Sequence, residues 1–112
     1  MTIESPYSRY VIDVDKRNFS FQILRFDNGS FVSITEHQDK IGGVLASIGT
    51  DSIPVSSTII PAKSESIFLK LVSEQISSII KGINIISAFI PQELDSKIAN
   101  ALMSKIKEIV EK

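Results

Sequence analysis

Few residues of this chain have side chains that could carry out chemistry. The one histidine, His37, stands beside Glu36 and close to Asp39, and these groups could transfer protons or bind a metal ion. In a strand, however, Glu36 and His37 point to opposite faces, and a metal site usually needs three or four converging ligands. We therefore interpret these residues as the polar end of a strand.

Hydroxyl groups are the other candidate nucleophiles, and Ser56-Ser57-Thr58 is a cluster of them. A nucleophilic serine needs a base within hydrogen-bonding distance, and only His37 could serve. The chain has no cysteine, which excludes disulfides, thiolate catalysis and cysteine-bound metal centres. These observations favour a protein that is not an enzyme and has no cofactor.

Length and charge narrow the class of protein further. The chain has 112 residues, 43% of them hydrophobic, and a net charge of −1. We expect a flexible N-terminus over residues 1–6 and a single domain over residues 7–112. The charge balance gives no basic surface for nucleic acid or an anionic membrane, so a partner would be met through shape and apolar surface. Without a signal sequence or membrane span, the expected location is cytoplasmic.

The first half of the chain alternates as strands do. Asp27-Asn28-Gly29 predicts the turn of a hairpin over residues 19–37. A slip of phase at Ile23-Leu24 predicts either a bulge or a strand that is covered on both faces. The other predicted strands cover about residues 10–15, 42–48 and 55–60.

Helical spacing then appears twice in the second half. Apolar residues recur from Ile67 to Ile80 and from Leu94 to the C-terminus, with the nearly continuous apolar run Ile83–Ile90 between them. This run predicts a strand buried on both faces at the centre of the sheet. The predicted order is β-β-β-β-β-α-β-α. This order indicates an α+β fold with a six-stranded, mostly antiparallel sheet and two amphipathic helices.

The predicted hairpin is rich in phenylalanine, which has two interpretations. A platform that stacks RNA bases is one, but few basic residues lie near it, so a core or a subunit interface is favoured. A core of two helices and six strands also leaves some apolar surface unburied, and dimerisation would cover an exposed edge or face of the sheet. The phenylalanines are Phe19, Phe21, Phe26 and Phe31.

The segment Asp51-Ser52-Ile53-Pro54-Val55-Ser56-Ser57-Thr58-Ile59-Ile60 resembles the corresponding segment of the proteasome assembly chaperone 4 family, which is related to proteasome assembly chaperone 3. The aromatic hairpin and the last helix, with Asp95-Ser96-Lys97-Ile98-Ala99, are also similar to that family. The resemblance covers about residues 19–111. It implies a six-stranded sheet with two helices and a non-catalytic chaperone.

The same resemblance implies the partners. Such a chaperone would bind α-subunits of the 20S proteasome and promote α-ring assembly as a dimer, either with itself or with a related assembly chaperone. The absence of cysteine and the simple aliphatic core suit an archaeal-like version, for which we expect a homodimer. Ser52, Ile53, Pro54 and Val55 are the expected partner-binding residues, because a rigid proline-bearing segment loses little entropy on binding. The alternative is that Pro54 only shapes the turn and Ile53 belongs to the core.

Other functions remain open at the level of the sequence. A dimeric α+β interaction or scaffold module with a different protein partner would use the same surface. A small-molecule-binding or enzymatic domain would need a pocket with converging polar groups. Nucleic-acid binding would show a steep dependence on salt.

Overall fold

The computed structural model describes residues 6–64 and 66–112. The elements follow the predicted order. All but Pro6 of the N-terminal segment predicted to be flexible lies outside the described residues. The strands are β1 (Tyr7–Val14), β2 (Arg17–Phe26), β3 (Gly29–Glu36), β4 (Gly43–Gly49), β5 (Val55–Ile60) and β6 (Gly82–Phe89), and the helices are α1 (Ser66–Ile79) and α2 (Ser96–Val110).

One sheet contains all six strands, in the order β1-β2-β3-β6-β4-β5. Every neighbouring pair is antiparallel except β3 and β6, which are parallel. The prediction of an α+β fold with a mostly antiparallel six-stranded sheet is confirmed. The central position predicted for the last strand is also confirmed, because β6 lies between β3 and β4.

The first three strands form a continuous antiparallel meander. Asp15 and Lys16, with φ of 50° and 67°, make the turn between β1 and β2, and this pair of positive values matches the twist of a two-residue hairpin. The pairing of β2 is uninterrupted on both sides, so the bulge predicted at Ile23-Leu24 is wrong. The alternative, a strand covered on both faces, is also wrong: Ile23 is buried in the core, whereas Leu24 is only half-buried on the opposite face, over which no described element packs. A bulge occurs instead in β5 at Ile59, where the pairing with β4 shifts.

Two glycines allow the parallel pair to begin. The N–H of Ile83 donates to the carbonyl oxygen of Asn28 over 2.8 Å. Gly29 and Gly82 both have positive φ there, and a Cβ on Gly82 would lie 2.1 Å from the same oxygen. Only glycine can occupy these positions without moving the backbone. The turn between β2 and β3 is therefore held against the start of β6.

Both helices cover the same face of the sheet. Helix α1 packs on β4 and β6, and α2 packs against α1 and β1. The N-cap of α2 is Asp95, whose carboxylate accepts a hydrogen bond from the N–H of Ile98 over 2.8 Å. The core between the sheet and the helices includes Phe19, Phe21, Ile23, Ile34, Ile86, Leu69, Val72, Ile76, Leu102 and Ile106, all at most 2% exposed.

A buried ion pair joins the meander to the segment before α2. The guanidinium of Arg17 donates to both carboxylate oxygens of Glu36, each over 2.7 Å. It also donates to the carbonyl oxygens of Gln92 and Glu93. The side chain of Glu36 is fully buried and that of Arg17 is 15% exposed. This bidentate pair fixes the end of β3 to the loop that leads into α2.

Candidate protein-binding surface

The face of the sheet opposite the helices, which we call the outer face, has no element of the described chain packed over it. The strand register places on it every second residue of each strand, in the opposite phase to the core. The charged side chains at these strand positions are Arg9 and Asp13, both on the edge strand β1. Towards the other edge the outer face is mostly apolar and carries Leu24, Phe26, Phe31, Val44, Ile48, Val55, Ile60, Ile83 and Ile85.

Three exposed apolar residues of the outer face lie near the turn between β2 and β3. Phe31 is 49% exposed and Ile83 is 52% exposed, although both belong to central strands. The ring of Phe31 packs edge-on against that of Phe26, with 5.7 Å between centroids. An exposed apolar patch of this kind is a candidate contact surface for another molecule.

A shallow groove of about 510 Å³ crosses the outer face. Its walls are mainly apolar, and its polar members are Tyr7 and the uncharged side chains of Gln22, Ser33 and Ser87. None of the described side chains that line it is acidic or basic. This lining suits an apolar protein surface better than a polar metabolite, which would need converging charged or hydrogen-bonding groups.

A charged network borders the outer face at the β1 side. Arg9 donates to Asp39 over 3.0 Å, and the hydroxyl of Thr35 donates to the same carboxylate over 3.0 Å. The hydrogen bond from Arg9, followed by that from Thr35, lowers the pKa of Asp39 below its ordinary value of 3.8. The carboxylate is therefore ionised at neutral pH and gives this side of the face a polar rim.

The predicted partner-binding segment lies at the opposite side, where the chain enters β5. Ser52, Ile53 and Val55 are exposed and Pro54 is half-buried. Ile53 is 85% exposed, so it does not belong to the core.

Hydrogen bonds of Thr50 restrain the loop at the start of this segment. The N–H of Ser52 donates to the hydroxyl of Thr50, and the two hydroxyls lie 2.9 Å apart. The ammonium group of Lys81 donates to the carbonyl oxygen of Thr50 over 2.8 Å. The structure thus brings Val55 to the corner of the outer face and leaves Ile53 projecting beside it.

The other candidate residues do not come together. His37 follows the end of β3 with φ of 68°, and its Nε2 lies 3.7 Å from a carboxylate oxygen of Glu36. Within residues 6–64 and 66–112, no group of three or more histidine or acidic side chains could hold a metal ion. Of the four phenylalanines, Phe19 and Phe21 are core residues, so the predicted aromatic cluster is divided between the two faces.

The sequence missed the outward residues of β6. Its continuous apolar run predicted burial on both faces, but only the inner face is covered, which leaves Ile83 exposed and Ile85 half-buried. The prediction is wrong because both helices pack on one side of the sheet. The signal was present in the element count, since two helices cannot cover both faces of six strands and must leave part of the sheet uncovered.

Comparisons with solved structures find similarity in fold. A chain of the crystal structure of a novel chaperone complex for yeast 20S proteasome assembly superimposes with a TM-score of 0.63 at 11% sequence identity. The alignment covers 96% of this chain and 99% of that chain. This similarity shows a shared fold.

No family model and no curated protein matches the chain. In the described part of the chain, no helix is long and apolar enough to cross a membrane.

Proposed function

We propose that this protein is a non-catalytic chaperone that binds α-subunits of the 20S proteasome and promotes α-ring assembly as a dimer. The observation that carries the proposal is the fold that this protein shares, over almost the whole of both chains, with a chain of a solved chaperone complex for yeast 20S proteasome assembly. The uncovered apolar face supports it independently, because a protein that works by surface contact needs such a surface. The cytoplasm, where proteasomes assemble, is its proposed location.

The outer face is the proposed dimer interface. Six strands spaced by about 4.8 Å, with about eight residues each at about 3.3 Å, present a footprint of roughly 600 Å². A stable interface covers roughly 800 Å² on each partner, and side-chain relief makes accessible area larger than footprint. Two such faces packed together would form a sandwich with a common apolar layer.

A second copy of this chain is the proposed partner across that face. A two-fold dimer needs a self-complementary surface, and an uncharged apolar centre is compatible with itself. Arg9 and Asp39, which have opposite charges, lie together on the rim of each copy. The rims of two copies therefore do not repel each other through charges of one sign. A related assembly chaperone with the same fold could take the place of the second copy.

The client is proposed to contact Ser52, Ile53, Pro54 and Val55. These residues lie at the border of the outer face, so they remain accessible when its centre is covered. The internal hydrogen bonds around Thr50 restrict the segment before binding, which reduces the entropy that binding must overcome.

Co-purification with the α-subunit of the same organism's proteasome tests the proposal, with light scattering to count copies. We expect a stoichiometric complex of a dimer with unassembled α-subunit, and no association with the finished particle. If α-rings form equally well with and without the protein, the chaperone assignment is wrong. If the protein is a dimer that does not bind α-subunits but binds another protein, it is instead a scaffold module.

The double change Ile53→Asp and Val55→Asp tests the proposed client contact. Both side chains are exposed, so the fold should remain intact while α-subunit binding weakens by about tenfold or more. The matched control is Val11→Asp, an exposed valine on the opposite edge strand, which should bind as the unchanged protein does. Circular dichroism and light scattering must show that both variants fold and dimerise. Normal α-subunit binding by the double variant would remove these residues from the contact.

A further inference from the structure

The two edges of the sheet are protected very differently. Edge strand β1 carries Arg9 and Asp13, and charged side chains of this kind prevent a sheet edge from pairing with other strands. Edge strand β5, Val55–Ile60, carries no charge, and residues 52–62 contain no charged residue at all. Pro54 and the bulge at Ile59 limit this edge at its two ends, but the part between them has no charged side chain that would prevent pairing.

The backbone of β5 is available for a new neighbour. Its pairing runs to β4, and no other backbone hydrogen bond of residues 55–60 is found within the described part of the chain. The bulge at Ile59 limits the regular edge to Val55–Thr58. Alternate residues of an antiparallel strand direct both backbone groups to one side, so these four residues offer about four outward hydrogen-bonding groups.

A groove next to this edge could take side chains of an added strand. It lies between the inner side of β5 and the first half of α1, and has a volume of about 310 Å³. Among the described residues that line it, none is acidic and the exposed Lys70 is the one charged member. Its walls include Leu45, Thr58, Ala62, Ile67 and Leu69.

We propose that the free edge of β5 accepts an extended segment of the client α-subunit as a seventh strand. The inference rests on the proposed function for the identity of the client. Strand addition obtains affinity from main-chain hydrogen bonds and specificity from pockets for alternate side chains. The segment should place an apolar side chain in the groove beside α1 and an acidic side chain near Lys70.

The client, rather than a second copy, is the occupant for a geometric reason. In the proposed dimer the second sheet lies in another layer, about 10 Å away. Its strands are therefore not level with the edge of β5, which stays open in the assembled dimer. The proposed client contact at residues 52–55 also runs directly into this edge, so one continuous surface would bind one partner.

Hydrogen exchange in the complex with purified α-subunit tests the added strand directly. About half of the amides in Val55–Thr58 should exchange at least about tenfold more slowly in the complex, since an added strand protects the outward ones. Unchanged exchange in a stoichiometric complex would overturn the proposal, because the client would then bind elsewhere.

A charge placed on the edge tests the same pairing by substitution. Thr58→Lys changes an exposed side chain at the groove and gives β5 the protection that β1 already has. The control is Ser8→Lys, on the same side of the sheet but on the opposite edge strand. We expect Thr58→Lys to weaken α-subunit binding by about tenfold and Ser8→Lys to leave it unchanged, with both variants dimeric. Equal binding by the two variants would refute the strand addition.

A peptide separates failure of this inference from failure of the proposed function. The probe is a labelled ten-residue peptide of alternating valine and threonine with a terminal glutamate. If no α-subunit is captured, the chaperone function fails. Peptide binding by the unchanged protein, lost in Thr58→Lys, would still support the edge as an acceptor, and absence of peptide binding would overturn it. The unchanged protein could instead form assemblies larger than a dimer, and Thr58→Lys could abolish them. That result would show that a second copy of the chain occupies the edge, and would contradict the choice of the client.

Discussion

Replacing Phe31 by alanine should separate the proposed dimer. A fully uncovered phenylalanine presents roughly 200 Å². The 49% exposed fraction of Phe31 therefore leaves roughly 100 Å² for a partner to cover. At about 25 cal/mol per Å², covering it contributes about 2.5 kcal/mol in each copy, and about 5 kcal/mol in a two-fold dimer. Because alanine retains part of this surface, we expect the dimer Kd to rise by roughly 1,000-fold.

The assay is sedimentation equilibrium over a dilution series, with Ile67→Ala as the control. Ile67 is 75% exposed on α1, away from the outer face, so its removal tests the loss of apolar surface alone. Both variants should stay folded, because neither side chain belongs to the buried core: Phe31 is 49% exposed and Ile67 is 75% exposed. A dimer Kd for Phe31→Ala within about threefold of that of the control would show that the outer face is not the interface.

Two further changes test how the fold is held. Arg17→Met leaves the carboxylate of Glu36 buried without its partner, so the free energy of unfolding in urea should fall by about 3–5 kcal/mol; recovery in the double variant with Glu36→Leu is the control, and a loss below about 1 kcal/mol would contradict the role given to this pair. Asp39→Asn tests the exposed pair with Arg9, whose hydrogen bond lowers the pKa of Asp39, so the pair stabilises the fold above pH 3.8 and this contribution disappears as the pH falls through the lowered value. The difference in Tm between the unchanged protein and Asp39→Asn should therefore be constant near neutral pH and shrink in acid, and a difference that grows in acid would refute this sign.

Local patterns were enough to predict the hairpin, the order of the elements and the central position of β6. Asp27-Asn28-Gly29 lies between two alternating apolar segments, and these signals involve residues close in sequence. The pairing of β3 with β6 joins residues more than fifty positions apart. Nothing local encodes that pairing, although the burial expected of Ile83–Ile90 pointed to the centre of the sheet.

The uncovered face was the part that periodicity could not assign. An apolar side chain such as that of Phe31 or Ile83 satisfies a burial pattern whether a helix or another molecule covers it. The sequence therefore assigned both faces of β6 to the interior. Deciding between the two requires knowing on which side α1 and α2 pack, which is a property of the whole chain. The contact proposed for Ile53 was suggested by resemblance to a family, and its exposure in the structure is consistent with that proposal.

The place of β6 between β3 and β4 has a consequence for how the chain folds during synthesis. The meander β1–β3 and the hairpin β4–β5 are both complete before β6 is made, yet no strand joins them until the chain reaches residue 89. Until then the edges of β3 and β4 that will pair with β6 are open to pairing with a wrong strand. We expect a nascent chain that ends at Ile80 to lack a cooperative core and to need protection from aggregation. The last strand made is thus the one that turns two unstable pieces into one sheet.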